Sequence, residues 1–138
     1  MPDKTVKDAM SSRPRTIEAS TRLPDAARLM RDQDVGSLPI VEGDRLAGIL
    51  TDRDIAIRAV AEGKLDATAG DIASRQVVTI DPQQPLAEAA RLMAEHQVRR
   101  LPVCEEDGRL VGMLAQADVA MKGDEDARTG QMVEEISR

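Results

Sequence analysis

The chain repeats itself, and that repeat restricts its fold more than any other feature of the sequence. Ala26-Ala27-Arg28-Leu29-Met30 recurs as Ala89-Ala90-Arg91-Leu92-Met93, an offset of 93 − 30 = 63 residues. Thr16-Ile17 recurs at the same offset as Thr79-Ile80, and Val35-x-x-Leu38-Pro39 as Val98-x-x-Leu101-Pro102. One residue is then inserted in the turn Glu105-Glu106-Asp107-Gly108. Beyond it Arg45-Leu46-x-Gly48 matches Arg109-Leu110-x-Gly112, and Asp54 matches Asp118. Self-similarity at a fixed period marks one supersecondary unit used more than once.

The periodicities within one copy predict its elements. Thr5 to Met10 reads as a short opening helix and Thr16 to Glu18 as a short strand. From Leu23 to Asp34 the apolar residues Leu23, Ala26, Ala27 and Met30 fall on one helical face, with Ser20 or Thr21 as the cap. Ser37 to Val41 and Arg45 to Leu50 are β-rich runs joined by the turn Glu42-Gly43-Asp44. Asp52 to Glu62 then closes the copy as a helix stopped by Gly63. The second copy gives an opening helix at Thr68 to Ala73, a strand at Val77 to Ile80, a helix from Leu86 to His96, a hairpin across Arg100 to Leu114 and a helix from Gln116 to about Lys122. The order β-α-β-β-α, met twice, predicts an α/β (α+β) fold with units over 5–63 and 68–122. Residues 123–138 follow as an acidic linker and an amphipathic helix at Thr129 to Ser137, with Met132, Val133 and Ile136 as its apolar face. Neither small sheet can cover both faces alone, so the two units are expected to pack together with pseudo-twofold symmetry.

Composition narrows the function. A formal net charge of −6 and a pI near 4.8 leave no basic surface for nucleic acid or anionic lipid. The absence of Phe, Tyr and Trp removes stacking platforms, so any purine bound here lies between aliphatic side chains. No stretch of about 18 apolar residues and no basic-then-apolar leader is seen, which leads to the expectation of a cytoplasmic protein. One histidine, His96, and one cysteine, Cys104, supply little for metal or nucleophilic chemistry. His96 is expected to cap its helix and Cys104 to be a near-core residue. Met10, Met30, Met93, Met113 and Met121 are expected to fill apolar faces.

The stretch most suited to a ligand is Gly48-Ile49-Leu50-Thr51-Asp52-Arg53-Asp54, where an apolar strand runs into the first turn of a helix. Backbone N–H groups at such a start favour a phosphate, the Thr51 hydroxyl adds a donor, and the Asp54 carboxylate suits the two hydroxyls of a ribose. The same Thr-x-x-Asp spacing is also a capping box, which many purely structural helices carry. Arg53, Arg99 and Arg100 could clamp phosphates, or pair with the abundant surface acids.

These paired units, each with a Leu-Pro-Ile/Val strand and a Gly-x-x-Thr-x-x-Asp-like turn, resemble a tandem cystathionine-β-synthase (CBS) domain pair, or Bateman module. Glu95-His96-Gln97-Val98-Arg99-Arg100-Leu101-Pro102-Val103 is similar to a stretch of small stand-alone bacterial members. The resemblance implies a regulatory module that binds an adenosine nucleotide (AMP, ADP, ATP or NAD) in clefts between its two units, with no required cofactor, no metal and no catalysis. It implies a homodimer that acts on a regulated protein partner. Carried over by position, the ribose-binding acid falls on Asp54 and Asp118, and the phosphate-contacting hydroxyl on Thr51. The strand that meets the adenine edge falls on Thr16-Ile17 and Thr79-Ile80, and the apolar walls on Leu38-Pro39 and Leu101-Pro102, with Ser37 and the arginines nearby. Ala115 stands where Thr51 stands in the first copy, so the two sites are expected to differ, the Asp54 site being better formed around ribose-phosphate and the other more dependent on arginine. A constitutive dimerisation or adaptor protein with empty clefts is the alternative. An enzyme is the third reading, and no nucleophile–base pair or Walker-type loop supports it.

Overall fold

The computed structural model describes residues 4–125, so the helix expected at 129–137 lies outside the described residues. The element order is α1 (Val6–Ala9), β1 (Ser11–Ser12), α2 (Leu23–Gln33), β2 (Ser37–Glu42), β3 (Arg45–Thr51), α3 (Asp52–Asp54) continued by a π-helix (Ile55–Val60), α4 (Ala69–Ile72), α5 (Leu86–His96), β4 (Arg100–Cys104), β5 (Leu110–Ala115) and α6 (Gln116–Glu125). The stretch Gly123-Asp124-Glu125, read from sequence as part of an acidic linker, is the end of α6. Mixed helix and strand in two similar halves is the fold class that the repeat predicts.

The chain divides into two compact units that are offset from the sequence repeats. A central unit runs from Arg15 to Val77, and a terminal unit combines the residues up to Pro14 with those from Val78 on. The offset comes from the opening helices. Val6 of α1 lies in one core with Ile80, Leu86, Ala89, Met93, Leu101, Val103, Leu114 and Val119. Ala69 and Ile72 of α4 lie in the other with Ile17, Leu23, Ala26, Met30, Leu38, Ile40, Leu50 and Ala59. Each core is therefore sealed by the opening helix of the other repeat.

Hydrogen bonds repeat the exchange. In the terminal unit, β1 pairs antiparallel with β5, Ser11 opposite Met113 and Ser12 opposite Gly112. In the central unit Ile49 and Ser74 exchange both backbone bonds at 3.0 Å. Both contacts need a glycine: a Cβ on Gly48 would come within 2.8 Å of the Ser74 carbonyl oxygen, and one on Gly112 within 2.9 Å of that of Ser11. Any side chain there would push the returning segment off the sheet.

The two long helices follow their patterns closely. α2 buries Leu23, Ala26 and Met30, and α5 buries the equivalent Leu86, Ala89 and Met93. Ala27 does not join them and is exposed. The expected caps also differ, since Arg22 occupies the N-cap of α2 while the Thr21 hydroxyl accepts from the Glu18 amide at 3.1 Å. Asp34 and Gln97 end the two helices in the left-handed conformation at equivalent positions, φ +54° in each. The strands expected at Thr16 to Glu18 and Val77 to Ile80 shrink to single parallel bridges, Ile17 to Ile40 and Ile80 to Val103.

The largest departure is the first closing helix. It is regular α-helix only over Asp52–Asp54 and then widens, with the Ala61 amide donating to the Ala56 carbonyl and the Lys64 amide to that of Ala59, five residues back in each case. Its counterpart α6 is α-helical throughout. Among the described residues no helix is long and apolar enough to cross a membrane.

Candidate functional site

Strand alternation sorts the candidate residues into two faces. In the central unit the Ile17 amide donates to the Pro39 carbonyl at 3.0 Å, and its carbonyl accepts from the Val41 amide at 2.9 Å. Ile17, Leu38, Ile40 and Leu50 face the core. Thr16, Ser37, Pro39 and Thr51 therefore share the opposite face, with Ser37 directly opposite Thr51 in the ladder. The terminal unit matches. The Ile80 amide donates to the Pro102 carbonyl at 3.1 Å and its carbonyl accepts from the Cys104 amide at 2.9 Å. Ile80, Leu101 and Leu114 face the core, which leaves Thr79, Arg100, Pro102 and Ala115 on the other side.

This sorting divides the residues expected at the walls and the adenine edge between the two sides of each sheet. Leu38 and Leu101 are core residues, 1% and 0% exposed; Pro39 and Pro102 lie on the other side of their strands and are buried as well. The backbone groups of Ile17 and Ile80 are already engaged with β2 and β4. Those of Thr16 and Thr79, both exposed, point away from the sheet and have no partner among the described residues. One free donor and one free acceptor at each edge can serve a purine's hydrogen-bonding rim.

The Thr51–Asp54 pair forms a complete capping box: the Asp54 amide donates to Thr51 Oγ1, and the Thr51 amide donates to Asp54 Oδ2, each at 3.0 Å. The terminal unit keeps half of it, the Ala115 amide donating to Asp118 Oδ2 at 3.0 Å. The same box also opens α1 at Thr5–Asp8 and α4 at Thr68–Asp71, where hydrogen bonds from Thr68 hold the Asp71 carboxyl below its usual range. The spacing thus recurs at four helix starts in full or in half, and by itself identifies only a helix start. Burial is what distinguishes the site acids. The Asp54 side chain is 15% exposed, its Oδ1 lying 3.9 Å from Arg58 Nε, and Asp118 is half-buried, whereas Asp8 and Asp71 are exposed.

A backbone bond ties each closing helix to the strand that begins the hairpin. The Asp52 amide donates to the Gly36 carbonyl at 2.9 Å, and the Gln116 amide to the Arg99 carbonyl at 2.8 Å. Sequence reasoning missed Asp52. Its signal was its place as the first helical residue after Thr51, beside a glycine. Ser37 Oγ is buried without a hydrogen-bond partner. Arg53 and Arg99 are exposed and Arg100 half-buried, and none of their side chains has an ion-pair partner among the described residues.

Other groups lie apart from this face. A cavity of about 670 Å³ in the central unit, lined by Ile57, Arg58, Lys64, Asp71 and Ile72 among others, contains none of the candidate residues. His96 ends α5 and is exposed. Cys104 is buried, and burial pushes its thiol up to about 11, which keeps it protonated and unreactive near neutral pH. Met121 is 65% exposed and does not join an apolar face as expected. Among the described residues no three His, Cys, Asp or Glu side chains converge where a metal could sit.

Known proteins are similar to this chain in sequence and fold. Hypoxic response protein 1 of Mycobacterium tuberculosis is 43% identical over 120 residues, 84% of this chain and 82% of its own. A crystal structure of Hypoxic Response Protein I with two coordinated zinc ions matches at TM-score 0.77 and 41% identity, over 86% of this chain and 98% of that one. CBSX2 of Arabidopsis thaliana in complex with AMP matches at TM-score 0.80 and 28% identity, over 90% and 98%. The CBS domain pair of protein MJ0100, in complex with 5′-methylthioadenosine and S-adenosyl-L-methionine, matches at 0.80 and 29%, over 91% and 99%. The family model for the CBS domain fits twice, over residues 6–60 and 69–123. Those two spans follow the repeat from which the fold was built, and the chain belongs to the CBS-domain family.

Proposed function

We propose that this chain is a regulatory module that binds adenosine-type ligands at the side of each unit's sheet opposite its core and catalyses no reaction. The reading rests chiefly on one observation: in both units a half-buried aspartate, Asp54 or Asp118, stands at the start of the closing helix beside a face that also carries a proline wall. The free backbone edge of Thr16 or Thr79 belongs to that same face. Only Oδ2 of each carboxylate is committed to capping, which leaves lone pairs for ribose hydroxyls. That structural neighbours hold AMP, 5′-methylthioadenosine or S-adenosylmethionine supports the ligand class. Replacing Asp54 by Ala is expected to weaken binding by about 1.5–3 kcal/mol, the range for hydrogen bonds to charged groups. Calorimetric titration of the wild type and the variant with AMP, ADP, ATP, NAD and S-adenosylmethionine tests this. Equal affinities would leave Asp54 a helix cap only, and no binding by any of these would favour an adaptor.

Self-association accompanies this reading. Ile57 and Met121 occupy equivalent positions in the two closing helices and are 47% and 65% exposed; Val60 and Leu65 add 56% and 60%. Large apolar side chains left exposed on both closing helices suit a symmetric homodimer. Light scattering coupled to gel filtration is expected to give twice the chain mass of 15.0 kDa, and a monomer mass at micromolar concentration would refute it.

A further inference from the structure

We propose that the two adenosine sites are sorted by charge: the terminal unit takes a phosphate-bearing ligand and the central unit an uncharged adenosine, with Asp52 and the Arg99–Arg100 pair deciding. The inference rests on the functional reading above and adds to it which ligand each site selects.

The two bonds from helix to strand make the comparison position by position. Gly36 and Arg99 are equivalent, as are Ser37 and Arg100, and Asp52 and Gln116. In the central unit the Asp52 carboxylate fills the space beside Gly36, where an added Cβ would lie 3.1 Å from Oδ2. The Ser37 hydroxyl, which has no partner, follows Gly36 in the chain, and Asp54 follows Asp52 by two residues in the same helical turn. Asp52, Arg53 and Asp54 together carry −1. In the terminal unit Arg99, Arg100 and Asp118 carry +1, with uncharged Gln116 and Ala117 in place of Asp52 and Arg53.

A phosphate arriving at the terminal site meets the Arg100 guanidinium, on the same side as Thr79 and Ala115, with the exposed Arg99 preceding it in the chain, and no carboxylate of the described residues holds either. At the central site it meets Asp52, and repulsion there opposes whatever the Thr51 hydroxyl contributes. That hydroxyl oxygen is already occupied as acceptor for the Asp54 amide. The charge pattern thus reverses the order that Thr51 and Ala115 alone suggest.

The test uses the full chain and two probes, AMP and adenosine. Asp118→Ala isolates the central site and Asp54→Ala the terminal one, and calorimetry gives the preference for AMP over adenosine at each. The preference is expected to be roughly tenfold or more greater at the terminal site. Arg99→Gln with Arg100→Gln should abolish it, read as the ratio of AMP to adenosine affinity at that site. Asp52→Asn, which keeps the shape of the central site, should raise AMP affinity there. Equal preferences at the two sites, or a preference unmoved by both sets of substitutions, would overturn the proposal and leave adenosine binding intact. Failure of the wild type to bind either probe would overturn the functional reading and the proposal with it.

Discussion

The central and terminal units match in register from the first bridge to the last hairpin residue, and then their closing helices diverge. In the terminal unit α6 seals the core with Val119, fully buried. Its counterpart in the central unit, Ile55, is only partly buried, and the widened helix brings Ala59 into the core instead. Insertion of a π-turn shifts every later side chain around the helix axis, and such turns gather at functional positions. One repeated sheet thus tolerates two closures. What the frame holds fixed is the start of the helix, where Asp54 and Asp118 accept the same backbone bond at the same 3.0 Å.

The most damaging way to probe this comparison is through the exchanged helices. Ile72 belongs to the second repeat but lies in the central core, 4% exposed. Ile72→Ala should cost about 2–5 kcal/mol. Native-state hydrogen exchange should show the loss in α2, β2 and β3, with α5 and β5 keeping their protection. Loss confined to α5 and β5 would mean that the cores are sorted by repeat after all.

A smaller effect separates the two caps. Thr51→Ala removes the hydroxyl half of a box that the terminal unit already lacks, at a cost of about 1 kcal/mol. Ala115→Thr should return a similar amount to the terminal unit, as chemical denaturation would show. If Thr51→Ala is silent in stability but weakens AMP binding, the hydroxyl serves the ligand rather than the helix.

The smallest difference lies at Cys104, whose counterpart is Val41 just past the same irregularity in the hairpin. Burial raises the folded-state thiol to about 11. The unfolded chain therefore loses its proton first as pH rises, and stability contributed by the buried neutral thiol is full below the ordinary thiol range and falls from there towards pH 11. Cys104→Val should flatten that part of the stability profile. An unchanged profile would assign the alkaline loss to other groups.

Much of this was legible in the sequence because the signals were local. The 3.6-residue pattern placed Leu86–His96 at its observed ends, and Gly43 and Gly108 marked hairpin turns that require positive φ. Strand alternation also contained the sorting of Leu38 and Leu101 into the core. The motif reading obscured it by treating Leu-Pro as one wall, although neighbours in a strand face opposite ways. Thr-x-x-Asp was recognisable, but its recurrence at Thr5 and Thr68 shows that the spacing alone marks a helix cap, and only burial sets Asp54 and Asp118 apart from Asp8 and Asp71. Two features had no local signal. One is the π-turn over Ile55–Val60, and the other is the partner of each opening helix, which depends on contacts between residues far apart in the chain.

That exchange carries a consequence for ancestry. The segment that was duplicated is not the body that folds: a lone repeat would own a helix with no core to enter and a core with no helix to close it. Two identical single repeats could satisfy one another by trading opening helices, as swapped dimers do. Joining them end to end would make the trade permanent, and once joined, either half could change the residues on the side of its sheet away from the core while the other preserved the original.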